Sequence, residues 1–290
     1  MKKSRKLATL GICSALFLGL AACQQQHATS EGTNQRQSSS AKVPWKASYT
    51  NLNNQVSTEE VKSLLSAHLD PNSVDAFFNL VNDYNTIVGS TGLLGDFTSF
   101  THTEYDVEKI SHLWNQKKGD FVGTNCRINS YCLLKNSVTI PKLEKNDQLL
   151  FLDNDAIDKG KVFDSQDKEE FDILFSRVPT EATTDVKVHA EKMETFFSQF
   201  QFNEKARMLS VVLHDNLDGE YLFVGHVGVL VPADDGFLFV EKLTFEEPYQ
   251  AIKFASKEDC YKYLGTKYAD YTGEGLAKPF IMDNDKWVKL

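Results

Sequence analysis

The chain has few basic residues for its size, and no dense stripe of Lys and Arg occurs in it. Of its 290 residues, 31 are Lys or Arg and 40 are Asp or Glu, so the formal net charge at pH 7 is -9. Nucleic acids and phosphate-rich polymers are bound mainly through clustered cationic side chains. We therefore expect no nucleic-acid partner and interpret the acidity as a source of solubility.

The sequence also lacks the short motifs that bind metals and nucleotides. It has no Cys-x-x-Cys or His-x-x-x-His spacing of the kind that holds zinc. It has no P-loop and no glycine-rich dinucleotide fingerprint. We predict no metal and no cofactor, so any chemistry has to come from the side chains themselves.

The N-terminal apolar run is too short to span a membrane. Four basic residues precede this run, which extends from Leu7 to Leu20, and small residues follow it. A spanning helix needs about 20 apolar residues, whereas this arrangement is typical of a secretory signal peptide. We expect residues 1–22 to be a cleaved signal peptide.

Cys23 follows Leu20-Ala21-Ala22, which is the arrangement of a lipobox. We expect its thiol to be acylated and to hold the protein on the lipid bilayer, at the extracellular face of the cell membrane. Each buried methylene of the acyl chain would contribute about 0.8 kcal/mol. An ordinary cleaved signal followed by an incidental cysteine is the alternative. Loss of the four basic leader residues leaves 27 basic against 40 acidic residues, a net charge of -13.

Composition divides the rest of the chain in two. Residues 23–43 are rich in Gln, Ser and Thr, which is typical of a flexible tether. Residues 44–290 contain many Phe, Tyr, Leu and Val, with no repeat and no low-complexity run, so we predict a single α+β domain there.

The first half of that domain has helical periodicity. Ser57 and Glu60 have the spacing of a capping box, with Val56 and Val61 placed as a hydrophobic staple. Further helices are predicted over about 73–84 and from about 104 to a stop at Gly119.

The second half has mainly the pattern of strands. Strands are predicted over 148–152, 171–178, 209–214, 221–231 and 237–243, and helices over about 188–200 and 256–268. The fold class predicted is α+β, with N-terminal helices packed on a mainly antiparallel sheet.

Three cysteines remain after Cys13 and Cys23, and this odd number leaves at least one unpaired within the chain. If Cys126 and Cys132 share a helix, their Cα atoms lie about 9 Å apart, too far for a disulfide. Cys132 and Cys260 have apolar or helical surroundings and are expected to be small buried hydrophobic residues.

Cys126 has a different setting. Gly123 allows a turn, Thr124 or Asn125 can cap a new helix, and Cys126 then falls in its first turn. The positive end of the helix dipole favours a thiolate there, and the unpaired N–H groups can hold an oxyanion. A core cysteine beside a helix cap is the alternative.

A thiolate nucleophile needs a base, and His226 is the candidate. It lies in a strand with Gly225 beside it and with Val224, Gly228 and Leu230 predicted on its own face. Glycine in a strand marks the close approach of another backbone or a ligand. A core histidine with satisfied ring nitrogens is the alternative.

Glu241 is an ionisable residue in the next apolar strand. If the two strands form a hairpin, Glu241 comes near His226 and can orient its ring, which completes a nucleophile, base and orienter. A solvated Glu241 paired with Lys242 is the alternative, and Glu246 and Glu247 are weaker candidates because Pro248 predicts a turn.

These residues carry two resemblances. A helix-start cysteine, a strand reading His-Val-Gly-Val and a following strand with a polar orienter resemble the papain-like cell-wall peptidases of the NlpC type. The segments GTNCRINSYCLLK, GHVGVLV and FVEKLTFEEPYQAIKF resemble an uncharacterised family of Gram-positive lipoproteins, a domain of unknown function.

The first resemblance implies a papain-like, NlpC-like core in which Cys126 is the nucleophile and His226 the general base and acid. Glu241 takes the position usually held by His, Asn or Gln. It further implies an amidase or endopeptidase whose substrate is a cell-wall peptide of the peptidoglycan type.

The other hypothesis is a non-catalytic binding or structural lipoprotein of the surface. Four aromatic residues could line a ligand groove in that case, or belong to the core: Trp45, Trp114, Tyr249 and Trp287.

Overall fold

The computed structural model describes residues 45–290. The predicted signal peptide, the lipobox cysteine Cys23 and the tether lie outside the described residues. Within 45–290, no helix is both long enough and apolar enough to cross a membrane.

Helices and strands are mixed along the described range. The helices are α1 (Gln55–Ser66), α2 (Pro71–Val88), α3 (Val107–Lys118), α4 (Cys126–Leu134), α5 (Phe151–Gly160), α6 (Ser165–Leu174), α7 (Val186–Phe197) and α8 (Lys257–Lys267). The strands are β1 (Ala47–Thr50), β2 (Thr98–Ser99), β3 (Val138–Thr139), β4 (Val178–Pro179), β5 (Gln201–Phe202), β6 (Arg207–Asp215), β7 (Tyr221–Ala233), β8 (Gly236–Lys242), β9 (Tyr249–Phe254), β10 (Phe280–Asp283) and β11 (Lys286–Val288).

One antiparallel sheet organises these elements. Its order is β11-β10-β6-β7-β8-β9-β1-β2, and β4 pairs with the start of β7. Strands β3 and β5 form a separate pair. The α+β class with a mainly antiparallel sheet is therefore confirmed.

Hydrophobic residues cover both faces of the sheet. Neighbouring residues of β8 show this, because Leu238 and Val240 belong to a first core that includes residues of α1 to α7, whereas Phe239 belongs to a second core that includes residues of α8. Burial on both faces explains why the long strands are almost continuously apolar.

Two predicted strands are wrong because their residues are helical. Residues 148–150 form a 3-10 turn that leads into α5, and Phe171 to Leu174 belong to α6. The Asp164 carboxylate caps α6 by accepting from the N–H groups of Gln166 and Asp167, both at 2.9 Å. A short apolar run has no period long enough to separate a buried strand from a buried helix.

The predicted start of α1 is also wrong. Its N-cap is Asn54, whose side chain accepts from the Ser57 N–H at 2.9 Å, so Ser57 lies inside the helix. Val56 is 74% exposed and therefore does not act as a staple. The predicted stop of α3 is confirmed at Gly119, where φ is +64° and glycine is favoured.

Candidate active site

The first element of the site is the start of α4. Gly123 has a φ of +92°, and a Cβ there would lie 3.3 Å from the Trp114 ring. Asn125 is the N-cap, because its Oδ1 accepts from the Ile128 N–H at 3.1 Å. Cys126 is consequently the first helical residue, and helix geometry gives its N–H no acceptor within α4. The predicted cap and the place of Cys126 are confirmed.

A buried carboxylate holds this helix start in place. Asp153 accepts from the Asn125 side chain at 2.8 Å and forms a two-pronged salt bridge with Arg127, at 2.9 and 2.7 Å. This two-pronged pair of opposite charges fixes the position of Arg127, the residue after Cys126, and the Asp153 carboxylate also fixes the Asn125 cap. The orientation of Cys126 is thus set by groups on both sides of it.

Helix α4 covers the stretch of the β7 edge that lies between its pairing with β4 and its pairing with β8. Pairing of β7 with β8 extends only as far as Val229. Before that point, the Arg127 guanidinium donates to the Val224 carbonyl at 3.0 Å and the Ser130 hydroxyl donates to the Val227 carbonyl at 3.2 Å. The gap between the two strands is therefore where the helix start meets β7.

His226 lies at an irregularity in β7. Val211 faces His226 and Val212 faces Val224, so Gly225 is the extra residue of a β-bulge. The bulge changes the alternation of side chains, and Val224 lies in the first core while His226 contacts the α8 side. The prediction that Val224 lies on the same face of the strand as His226 is therefore wrong.

A close approach explains the glycine beside His226, but the expectation that a backbone or a ligand approaches it is wrong. A Cβ on Gly225 would lie 2.3 Å from the Leu213 side chain. The neighbour is thus a side chain of the adjacent strand β6.

The structure brings Cys126, His226 and Glu241 together. The His226 Nε2 lies 2.5 Å from the Glu241 Oε2, and the Cys126 thiol interacts with the same imidazole ring. Burial would lower the pKa of His226, but Cys126 and Glu241 outweigh it and raise this pKa above its usual value. The arrangement is therefore suited to an imidazolium between two acidic groups.

Glu241 is held as a carboxylate by groups from α8. Tyr263 donates its hydroxyl to Glu241, and Lys267 Nζ donates to the same oxygen at 3.4 Å. Burial would raise the pKa of Glu241, but Lys267, His226 and Tyr263 together lower it to about 2. The alternative of a solvated pair with Lys242 is wrong, because Glu241 is 2% exposed and Lys242 bonds elsewhere.

The three side chains are enclosed. Cys126 and His226 are each 2% exposed, like Glu241. The Tyr268 ring, which follows α8, stacks on the His226 ring with centroids 4.9 Å apart and planes 23° apart. Any substrate therefore requires movement of a covering group before it reaches the sulfur.

Sequence reasoning missed the contribution of α8. Tyr263 and Lys267 are four residues apart, so they share a helical face, and the Lys267 ammonium lies 2.8 Å from the Tyr263 hydroxyl. That spacing is visible in the sequence, but nothing there shows that this face points at Glu241.

The other cysteines are buried and free. Cys132 forms no disulfide within the described range, and burial raises its pKa to about 12. Burial also raises the pKa of Cys260 well above its usual value. The expectation that both are buried hydrophobic residues is confirmed.

The aromatic candidates for a ligand groove belong mostly to the core. Trp45, Trp114 and Tyr249 are buried, and Trp287 is partly buried against the first core. In the part of the chain that the structure describes, no group of three or more His, Cys, Asp or Glu residues could hold a metal ion.

The fold and the site define an α+β protein in which a helix-start cysteine lies beside a buried histidine–glutamate pair. The family model described as a domain of unknown function, DUF4300, matches residues 48–288, and the chain belongs to this family. No curated protein and no solved structure matches the chain.

Proposed function

We propose that this protein is a papain-like cysteine hydrolase, an amidase or endopeptidase that acts on cell-wall peptides of the peptidoglycan type. The observation that carries the proposal is the meeting of Cys126, at the start of α4, with the His226–Glu241 pair. A nucleophile, a base and a group that orients the base are the parts that acyl transfer needs.

The proposed reaction uses these residues in turn. The Cys126 thiolate attacks the amide carbon, and the N–H at the helix start stabilises the oxyanion. The C–N bond then breaks as the His226 imidazolium gives its proton to the leaving amine. A water molecule then gives a proton to His226 and attacks the thioester, the C–S bond breaks, and the Cys126 thiolate and the His226 imidazolium are restored. Glu241 stays ionised throughout and keeps the imidazole oriented.

The substrate class rests on resemblance to the NlpC-type peptidases. The chain shares with them the order of a helix-start cysteine, a histidine strand and a polar orienter in the following strand. It differs in having Glu241 as the third residue and Thr124-Asn125 before the cysteine. The location is proposed from the lipobox, which would attach the protein through an acylated Cys23 to the outer face of the membrane.

Access to the sulfur is proposed to depend on Tyr268. Its ring covers His226, and it lies at the end of α8 where a segment without regular structure begins. Tyr268 belongs to no strand, so movement of its ring leaves the pairing of the sheet intact.

The test is alkylation of Cys126 across pH in the full chain, followed by peptide mass spectrometry, with Cys126→Ser and His226→Ala variants alongside. We expect Cys126 to react below pH 7 and to slow after loss of His226, because an imidazolium favours the thiolate. Cys132, which lies further along α4 and is also buried, serves as an internal control for unfolding. A pH profile of Cys126 alkylation with the midpoint of an ordinary thiol, about 8.5, would refute the proposal.

A second experiment tests the reaction itself. The wild-type chain is incubated with soluble peptidoglycan fragments, and released amines are counted beside Cys126→Ser and His226→Ala. We expect the wild-type chain to release amines and neither variant to do so.

One observation favours the alternative of a non-catalytic binding or structural lipoprotein. The sulfur, the imidazole and the carboxylate are all enclosed, as in a core polar network. That function predicts that Cys126→Ser leaves ligand binding and stability almost unchanged and that Cys126 is labelled no faster than Cys132.

A further inference from the structure

Lys242 is a buried cation that the proposed reaction does not use. It is 1% exposed, and it follows Glu241 in β8, so its side chain points to the opposite face of the sheet. A lysine is rarely buried to this extent without a full set of partners. The groups that contact the Lys242 ammonium therefore indicate its role.

Three backbone carbonyls surround the Lys242 ammonium. Its Nζ donates to the carbonyls of Thr244 at 2.8 Å, of Phe245 at 3.1 Å and of Glu247. An ammonium has three hydrogens, whereas a neutral amine has two and would leave one of these carbonyls unpaired. The geometry therefore matches the charged form.

Aromatic rings complete the ammonium's surroundings. Its Nζ lies 4.2 Å from the ring centroid of Tyr84 on α2 and 5.3 Å from that of Tyr249 on β9. Ring faces attract a cation and partly replace the water that it has lost.

The turn that Lys242 holds also contacts the start of α4. The Phe245 carbonyl lies so close to Gly123 that a Cβ there would be 3.5 Å from it. The Tyr249 hydroxyl donates to Asn129 on α4 at 3.0 Å and lies 3.4 Å from the Thr124 hydroxyl. The ammonium, its turn and the segment before Cys126 are thus one packed unit.

We propose that Lys242 is a positioning residue for Cys126, which favours the thiolate through its charge and fixes the neighbouring turn through its three hydrogen bonds. This inference rests on the proposed function, since a charged sulfur is useful only if Cys126 is a nucleophile. It assigns a second positive group to the sulfur, beside His226 and on the other face of the sheet.

The charges around Lys242 agree with this role. Burial lowers the pKa of Lys242 to about 7, while Glu246, Glu247 and Cys126 act in the opposite direction. Attraction between two charges is mutual, so a sulfur that favours the ammonium is favoured by it. The groups that face this ammonium are Tyr84, Tyr249, Cys126, Glu246 and Glu247, and both carboxylates belong to the turn it holds.

The test compares the full chain with Lys242→Met and a matched control, Arg177→Met. Arg177 is also a buried cation, donating to Asp218 at 2.7 Å with its guanidinium 3.8 Å from the Tyr221 ring centroid. Loss of Arg177 removes a comparable structural contact without changing a charge that acts on Cys126. The readout is the pH dependence of Cys126 alkylation, measured by peptide mass spectrometry.

We expect the midpoint of this profile to rise by about one pH unit in Lys242→Met, which slows alkylation about tenfold at pH below the midpoint. Arg177→Met should keep the wild-type midpoint. An unchanged midpoint in a folded Lys242→Met chain overturns the inference and leaves the proposed function standing. A wild-type midpoint near that of an ordinary thiol removes the proposed function instead.

A second measurement leaves Lys242 in place, in case its replacement prevents folding. In a His226→Ala, Glu247→Gln chain, the ratio of the rates of iodoacetate and iodoacetamide at Cys126 reports nearby positive charge, because both reagents react with the same thiolate. Glu247→Gln removes a neighbouring carboxyl group whose pKa burial raises. Because Glu247 raises the pKa of Lys242, we expect the ratio in this variant to fall severalfold as pH rises through a value below about 7. A ratio independent of pH contradicts the role of Lys242.

Discussion

Replacement of Glu241 by Gln tests the charge of the buried pair without changing the shape of the side chain. In the folded protein the pKa of Glu241 is about 2, compared with 4.5 for a free glutamate. This difference of about 2.5 units corresponds to about 3 kcal/mol of stability supplied by the ionised form. Glu241 is fully buried in contact with His226, Tyr263 and Lys267, so little of this energy is lost to screening by solvent.

The sign of the pH dependence follows from the direction of the shift. Because the folded pKa is lower than the unfolded one, the stabilisation by Glu241 is complete above pH 4.5 and is lost as pH falls towards 2. We expect Glu241→Gln to unfold about 3 kcal/mol more easily at pH 7. Between pH 4.5 and 2 the difference from the wild type should shrink.

The assay is urea unfolding of both chains, followed by far-UV circular dichroism at pH 7, 5 and 3. A suitable control is Glu204→Gln, which changes an exposed carboxylate between β5 and β6. Equal stabilities of wild type and Glu241→Gln at pH 7, or a difference that stays constant on acidification, would refute the reasoning about this pair.

Three further changes test the geometry of the site. Gly228→Ala should destabilise by about 1–3 kcal/mol in urea unfolding, because its Cβ would lie 2.3 Å from the Phe239 ring; a neutral effect would contradict this packing. Tyr268→Ala should raise the rate of Cys126 alkylation severalfold with an unchanged pH midpoint, whereas an unchanged rate would show that another group controls access. For His226, whose folded pKa is raised, the stabilisation is present below about pH 6.5 and is lost as pH rises through the folded pKa. The stability difference between wild type and His226→Gln should therefore be larger at pH 6 than at pH 9, and a difference that grows with pH would contradict this assignment.

Part of the site could be read from local sequence. The order Gly123, Asn125, Cys126 predicts a turn, a cap and a helix start from short-range rules alone, and the structure has each of them. Two apolar runs and the turn between them predict the hairpin between β7 and β8, which brings His226 towards Glu241. These features depend on residues close in sequence, so local chemistry is sufficient to predict them.

Other features needed contacts between distant residues. Whether the segment that begins at Phe171 is a strand or a helix depends on the neighbours that bury it, because its apolar run is too short to have a diagnostic period. The bulge at Gly225 reverses the alternation in β7, and nothing in that strand alone shows where the reversal occurs.

The elements of the site, a cysteine at a helix start and ionisable residues in two neighbouring apolar strands, follow from local sequence, because caps, turns and strand alternation act over a few residues. Three-dimensional packing was needed to show that α8 supplies Tyr263 and Lys267 to Glu241, that Tyr268 covers His226, and that Lys242 lies on the opposite face of the sheet. The residues in some of these contacts are more than a hundred positions apart, as Tyr84 and Lys242 are. Packing of helices against the two faces of one sheet decides which distant residues meet, and no local pattern in the sequence shows this.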